Sequence, residues 1–116
     1  MSLKLHNYLR TYRKRAGFSQ ADVAFLLGCA GGSKVSRYER FAREPALKAA
    51  LAYSVVFGVP LQELFAGVHA KIEQTIVKRA GVLSDRLAAS KADRITAQKL
   101  AALKAITDPL DQITRT

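Results

Sequence analysis

The run FSQADVAFLLGCAGGSKVSRY, from Phe18 to Tyr38, constrains the fold more than any other stretch. Ser19 is a strong helix N-cap, and Asp22 stands three positions on as its capping-box partner. A helix is therefore expected over Gln20–Leu27, with Val23, Ala24 and Leu27 inward. Ala24 is small, which suits a close crossing of two helices. Gly28 closes the helix, and Cys29-Ala30-Gly31-Gly32 reads as a turn. A further helix is expected from Gly32 or Ser33 to Phe41. Ser33 can cap it, Val35 and Tyr38 point inward, and Lys34, Ser36, Arg37 and Arg40 point outward.

The flanking sequence is also helical. Leu5, Leu9 and Tyr12 recur at helical spacing, so a first helix is expected over Leu3–Ala16, with Arg10, Arg13, Lys14 and Arg15 crowding its last turns and Gly17 ending it. After the loop Arg43-Glu44-Pro45, a fourth helix is expected over Ala46–Phe57, with Leu47, Leu51, Ser54 and Val55 on one face. Gly58 ends it. Val59 and Pro60 open a short fifth helix, Leu61–Ala66, buried through Leu61, Leu64 and Phe65. No sustained alternation of apolar and polar residues supports a strand. The expected class is all-α.

Gly67 is read as the boundary between an N-terminal domain, residues 1–66, and a helical C-terminal extension, residues 67–116. In the extension Val68, Ile72, Ile76, Ala80, Leu83 and Leu87 recur every three or four residues. Gly81 weakens this helix without breaking it. Ser90 and Asp93 can begin another helix that ends before Pro109, with Leu100, Leu103 and Ile106 inward. A frayed tail is expected from about Asp108. The stripe fits a homodimer contact through the C-terminal helices, or an intrachain hairpin covering the N-terminal bundle.

Charge narrows the partner. Nineteen Lys and Arg against nine Asp and Glu give a net charge of +10 on 116 residues. Residues 1–66 carry +6 of it and residues 67–116 carry +4. Such a balance favours a polyanion. The third helix concentrates three cations on one short segment, directly after a turn that lets the helix N-terminus approach phosphate. Arg37 suits guanine O6/N7, or else a phosphate; Lys34, Arg40, Arg43 and Arg10 suit phosphates, and Ser33 and Ser36 either.

Several classes are disfavoured. No apolar run approaches the ~20 residues of a membrane span. The start, MSLKLHNYLRTYRKR, has no apolar signal segment ahead of its charges, so a cytoplasmic location is expected. The lone Cys29 can form no internal disulfide. His6 and His69 lack companion ligands, so no metal or other cofactor is expected. No Ser-His-Asp or Cys-His arrangement suggests an enzyme.

Residues 9–65 resemble the phage-repressor-type helix-turn-helix domain, the Cro/repressor or XRE family. The matching residues are Leu9, Arg10 and Arg13 before Gly17, then Phe18-Ser19-Gln20, Val23-Ala24 and Leu27-Gly28. Val35-Ser36-Arg37-Tyr38-Glu39-Arg40 follows, then Arg43, Pro45, Leu47, Leu51 and the segment Phe57–Phe65. The resemblance implies a five-helix bundle whose third helix reads double-stranded DNA. It implies that Gln20 contacts a backbone phosphate, that Gly32, Ser33 and Arg37 face base edges, and that Arg13 and Glu39 form an internal ion pair. Two departures stand out. The Gly28–Glu39 spacing is one residue longer than the family pattern, which shifts weight from Gly32 to Lys34 and Arg37. Phe41 stands where the family has glycine; it is expected to lengthen the third helix or pack on the C-terminal extension.

The expected function is a sequence-specific DNA-binding transcriptional regulator of prokaryotic or phage type, more a repressor than an activator. The alternative is an antitoxin-like module that binds a partner protein and uses the DNA contact for autoregulation. A basic amphipathic helix on a membrane surface is disfavoured, because Asp85 and Asp93 interrupt the basic face and no Phe or Trp follows Phe65.

Overall fold

The computed structural model describes residues 5–108. Among them are seven helices and no strand: α1 Leu9–Ala16, α2 Gln20–Leu27, α3 Gly32–Glu39, α4 Leu47–Phe57, α5 Leu61–Leu64, α6 Ala66–Ala88 and α7 Arg94–Thr107. The chain divides into two compact units, Met1–Ala70 and Lys71–Thr116.

In the first unit α1, α2, α3 and α4 pack around one another, with α5 against α4. The local signals explain the helix ends. Ser19 accepts from the Asp22 amide and the Asp22 carboxylate accepts from the Ser19 amide, completing the capping box of α2. Gly28 then takes a left-handed conformation, φ 78°, and the Cys29 amide turns back onto the Ala24 carbonyl at 2.8 Å. The core gathers Leu9, Val23, Ala24, Val35, Tyr38, Tyr53 and Leu64. Tyr53 is its centre: the Tyr38 ring meets it edge-on at 6.2 Å and Phe57 stacks on it at 5.9 Å.

Arg13 and Glu39 tie α1 to α3. The Arg13 Nε and Nη2 donate to the two Glu39 oxygens at 2.6 and 3.1 Å, a bidentate pair with the carboxylate almost fully buried. Arg13 Nη1 also donates to the Phe18 carbonyl at 3.0 Å, and the Gln20 amide donates to Glu39 at 3.2 Å. Glu39's hydrogen bonds are the main reason that the guanidinium is held above its ordinary pKa. A buried pair of this kind is tolerable because its remaining donors and acceptors are also satisfied.

Several expectations need correction. The first helix begins at Leu9, not Leu3; residues 1–4 lie outside the described part. The segment before it, residues 5–8, is an irregular strap whose polar groups bond to distant parts of the unit. Tyr8 donates its amide to Leu64 at 2.7 Å, and the Gly67 amide donates to the Leu5 carbonyl at 2.8 Å. Buried Asn7 donates to the Tyr38 carbonyl at 3.0 Å and accepts from the Leu9 amide at 3.1 Å. Leu5, expected inward, is largely exposed. Gly67, read as the domain boundary, lies inside α6 in the first unit, where a Cβ would collide with the Leu5 carbonyl. Gly31, not Ser33, occupies the N-cap of α3, with no side-chain cap bond. Phe41 does not extend α3; it turns the chain with φ 64° and sets its ring 5.5 Å from that of His6. The face of α4 carrying Leu47, Leu51 and Val55 is turned outward, with Leu47 70% and Val55 82% exposed. The sequence LKAALAYSVVF is apolar nearly all round, so periodicity could not choose its buried side. The fifth helix stops at Leu64, shorter than expected, because α6 starts at Ala66.

In the second unit α6 runs unbroken through Gly81. Its stripe is split. Ala80 is buried and Leu87 half-buried, whereas Ile72, Ile76 and Leu83 are exposed. Asp93 caps α7, accepting from the Thr96 amide at 2.7 Å, and this bond holds its carboxyl below the ordinary pKa. Leu103 is buried and Leu100 and Ile106 half-buried, as their spacing suggests. The frayed tail expected from Asp108 falls almost wholly outside the described residues.

Two stability experiments follow. Glu39→Ala strands the Arg13 charge in the core and should cost roughly 3–5 kcal/mol by chemical denaturation. Tyr53→Phe should be neutral or stabilising by up to about 1 kcal/mol, because the buried Tyr53 hydroxyl has no hydrogen-bond partner. Equal losses in the two variants would contradict this picture. In α7 the Asp93 pKa is depressed on folding, so its stabilisation is present above the unfolded carboxyl's ordinary pKa. It is lost as pH falls through the lower folded value. Protection factors at Ile95–Ala97, taken against the intrinsic exchange rate at each pH, should fall over that acid range in the wild type and be low at every pH in Asp93→Ala.

Candidate nucleic-acid interface

α3 presents Ser33, Lys34, Arg37 and Arg40 on one exposed face, while Val35, Tyr38 and Glu39 turn into the core. The sorting follows from an eight-residue helix anchored on one side by a bidentate ion pair and two buried apolar residues. Ser36 lies at the edge of the face, and its hydroxyl accepts from Arg40 Nε at 3.2 Å. It steadies Arg40 rather than standing free.

The longer turn is absorbed by Cys29-Ala30-Gly31, with Gly31 extended, so α3 still begins at Gly32. Gly32 does not face outward. A Cβ there would approach the Gln20 Cβ to 3.3 Å, so glycine allows the starts of α2 and α3 to meet. Gln20 itself is half-buried with its amide on Glu39. Arg10 is exposed on α1.

Beside the exposed face of α3 lies an open groove of about 630 Å³ between the turn and the start of α4. It brings together Ser33, Lys34, Arg37 and Arg43, but not Gln20, Ser36, Arg40 or Arg10. It adds Lys48, which sequence reading passed over. The available signal was its place in the first turn of a helix entered from a basic loop. α4 starts at Leu47 after Ala46, whose side chain cannot cap it, and this leaves first-turn amides without a side-chain acceptor at the groove wall. Such amides and a positive helix end suit a phosphate oxygen.

The distribution of acids decides the electrostatics. Among the described residues there are two ion pairs, Arg13–Glu39 and His6–Glu44. Neither uses Lys34, Arg37, Arg40, Arg43 or Lys48. Glu44 is the one acid lining the groove, and its carboxylate lies 3.3 Å from His6 Nε2. Four cations, Lys34, Arg37, Arg43 and Lys48, against the one carboxylate of Glu44 leave the field over the groove positive. No group of three or more His, Cys, Asp or Glu among the described residues could hold a metal, and no described helix is long and apolar enough to cross a membrane. Cys29 is unpaired, half-buried against the core and at the groove edge.

An all-helical domain with two short helices crossing at a glycine turn, the second bearing an uncompensated basic face, defines a DNA-binding helix-turn-helix protein. The family model described as "Helix-turn-helix domain" matches residues 5–66, and the chain belongs to that family. No curated protein and no solved structure shows significant similarity to the chain.

Lys48→Ala should weaken binding to all duplexes alike and reduce the slope of log K against log salt by about one. Arg37→Ala should cost about 1–3 kcal/mol on a preferred duplex and less on random duplexes. Fluorescence anisotropy over a salt series reads both.

Proposed function

We propose that this protein is a sequence-specific regulator of transcription of the Cro/repressor type, reading the major groove of double-stranded DNA with α3. The observation that carries this reading is the set of unpaired cations on the α3 face and around the adjoining groove. Arg37, central on the face, is assigned to base edges together with Ser33, Lys34 and Ser36. Arg43, Lys48, Arg40 and Arg10 are assigned to phosphates, and Gln20 to a phosphate through the N–H not used by Glu39. Repression is favoured over activation because occupancy of a promoter suffices for it. A cytoplasmic, DNA-associated location accompanies this reading.

A single module of this size buries limited DNA surface, so two copies on half-sites about 34 Å apart are the expected binding unit. The exposed Ile72, Ile76 and Leu83 on α6 supply an apolar stripe for that pairing. Pairing of this stripe with a different protein is the antitoxin-like alternative.

Selection of bound sequences from a random duplex pool tests the function. An enriched motif with two-fold symmetry is expected; equal recovery of all sequences at physiological salt would overturn specific reading. Light scattering with and without the selected duplex should show two copies, and Ile76→Asp should leave one. A protein that stays monomeric on its duplex would refute the dimer.

A further inference from the structure

A second cavity lies within the first unit, and it shares Arg43 and Glu44 with the groove just described. It encloses about 250 Å³. Its walls are apolar, formed by Pro45, Leu47 and Ala50 at the start of α4 and by Phe65 and Val68 at the α5–α6 junction. For scale, a cavity of ~150 Å³ accommodates benzene. This one has room for a single ring with a short arm.

The polar groups at the cavity narrow the ligand further. Asn7 lines it, but its amide is already spent on the Tyr38 carbonyl and the Leu9 amide. The Glu44 carboxylate faces His6 at 3.3 Å. Arg43 alone among the charged groups here has no hydrogen-bond or ion-pair partner among the described residues. An apolar pocket with one uncommitted guanidinium at its rim matches an apolar body carrying one anionic head.

We propose that this cavity is an effector site for a small monocarboxylic acid with one aromatic ring or a branched aliphatic body. The carboxylate pairs with Arg43, and the body rests on Leu47, Ala50, Phe65 and Val68. The consequence for DNA rests on the reading of the groove given above. One guanidinium cannot serve a DNA phosphate and a ligand carboxylate together. Ligand and duplex therefore weaken each other's binding by the same factor, as linkage requires.

The test uses the full chain, with phenylacetate as the probe and benzylamine and 2-phenylethanol as controls of similar shape. In methyl NMR spectra recorded without DNA, phenylacetate should shift the Ala50 and Val68 signals saturably, with Kd on the order of 1 mM for a ligand of this size. The two controls should bind at least tenfold more weakly. Arg43→Gln, a change at an exposed residue, should erase the preference for phenylacetate. Ala50→Leu, which fills the cavity, should remove the shifts at Val68. With the selected duplex, saturating phenylacetate should weaken wild-type binding several-fold, whereas Ala50→Leu should bind the duplex like the wild type and not respond.

Absence of saturable shifts, equal binding of benzylamine, or an unchanged preference in Arg43→Gln would overturn the effector site, whatever the DNA result. Saturable shifts in a protein that binds no duplex would uphold the site and refute the DNA reading. Saturable shifts with unchanged duplex affinity would overturn the shared role of Arg43.

Discussion

The bidentate contact between Arg13 and Glu39 is the constraint on which the rest of the first unit depends. It spans α1 and α3 and takes in the Phe18 carbonyl and the Gln20 amide, so it fixes three helices at one buried point. It also orients α3. With Glu39 and the adjacent Tyr38 turned inward, Lys34 and Arg37 are left on the opposite side. The position of the exposed basic face is thus a consequence of where one buried carboxylate must go.

The same pair shapes the surface field. The first 66 residues contain four acids, so each placement matters. Glu39 is consumed in the core, Asp22 caps α2, and Glu44 faces His6. Glu63 accepts from the Tyr12 hydroxyl at 3.1 Å. None is left to pair with the cations of α3. Net charge alone would not produce this result; it comes from engaging the few carboxylates in structural contacts elsewhere. The arrangement leaves Arg43 between two cavities of different character, one basic and open, the other small and apolar.

Much of the first unit was legible because its signals are short-range. Ser19 with Asp22, Gly28 after Leu27 and Asp93 before α7 act within one helical turn, and the helices begin or end there. The outward basic face of α3 was legible for the same reason: Val35 and Tyr38 lie three apart and inward on a helix that also carries Lys34 and Arg37. Where sequence reading failed, the deciding contact was distant. The strap before Leu9 continues a helical pattern, yet its backbone bonds go to Leu64 and Gly67, about sixty positions away. Gly67 read as a domain boundary, but its missing Cβ makes room for the Leu5 backbone. Phe41 has a left-handed backbone that composition gives no reason to expect of a bulky residue.

By itself the sequence determined the helical class, the boundaries of α2, the basic balance and the outward face of α3, because capping, periodicity and charge are properties of neighbours. Tertiary structure alone decided which side of α4 is buried. A helix apolar on all sides has no preferred face until Tyr38 of α3 meets Tyr53. It also decided that Lys48 joins Lys34, Arg37 and Arg43 at one groove, since those residues meet only once α4 has docked against α2. The stripe on α6 lies between these cases. Its spacing was written in the sequence, but the division into a shielded edge at Ala80 and an open one at Ile72, Ile76 and Leu83 arose from packing.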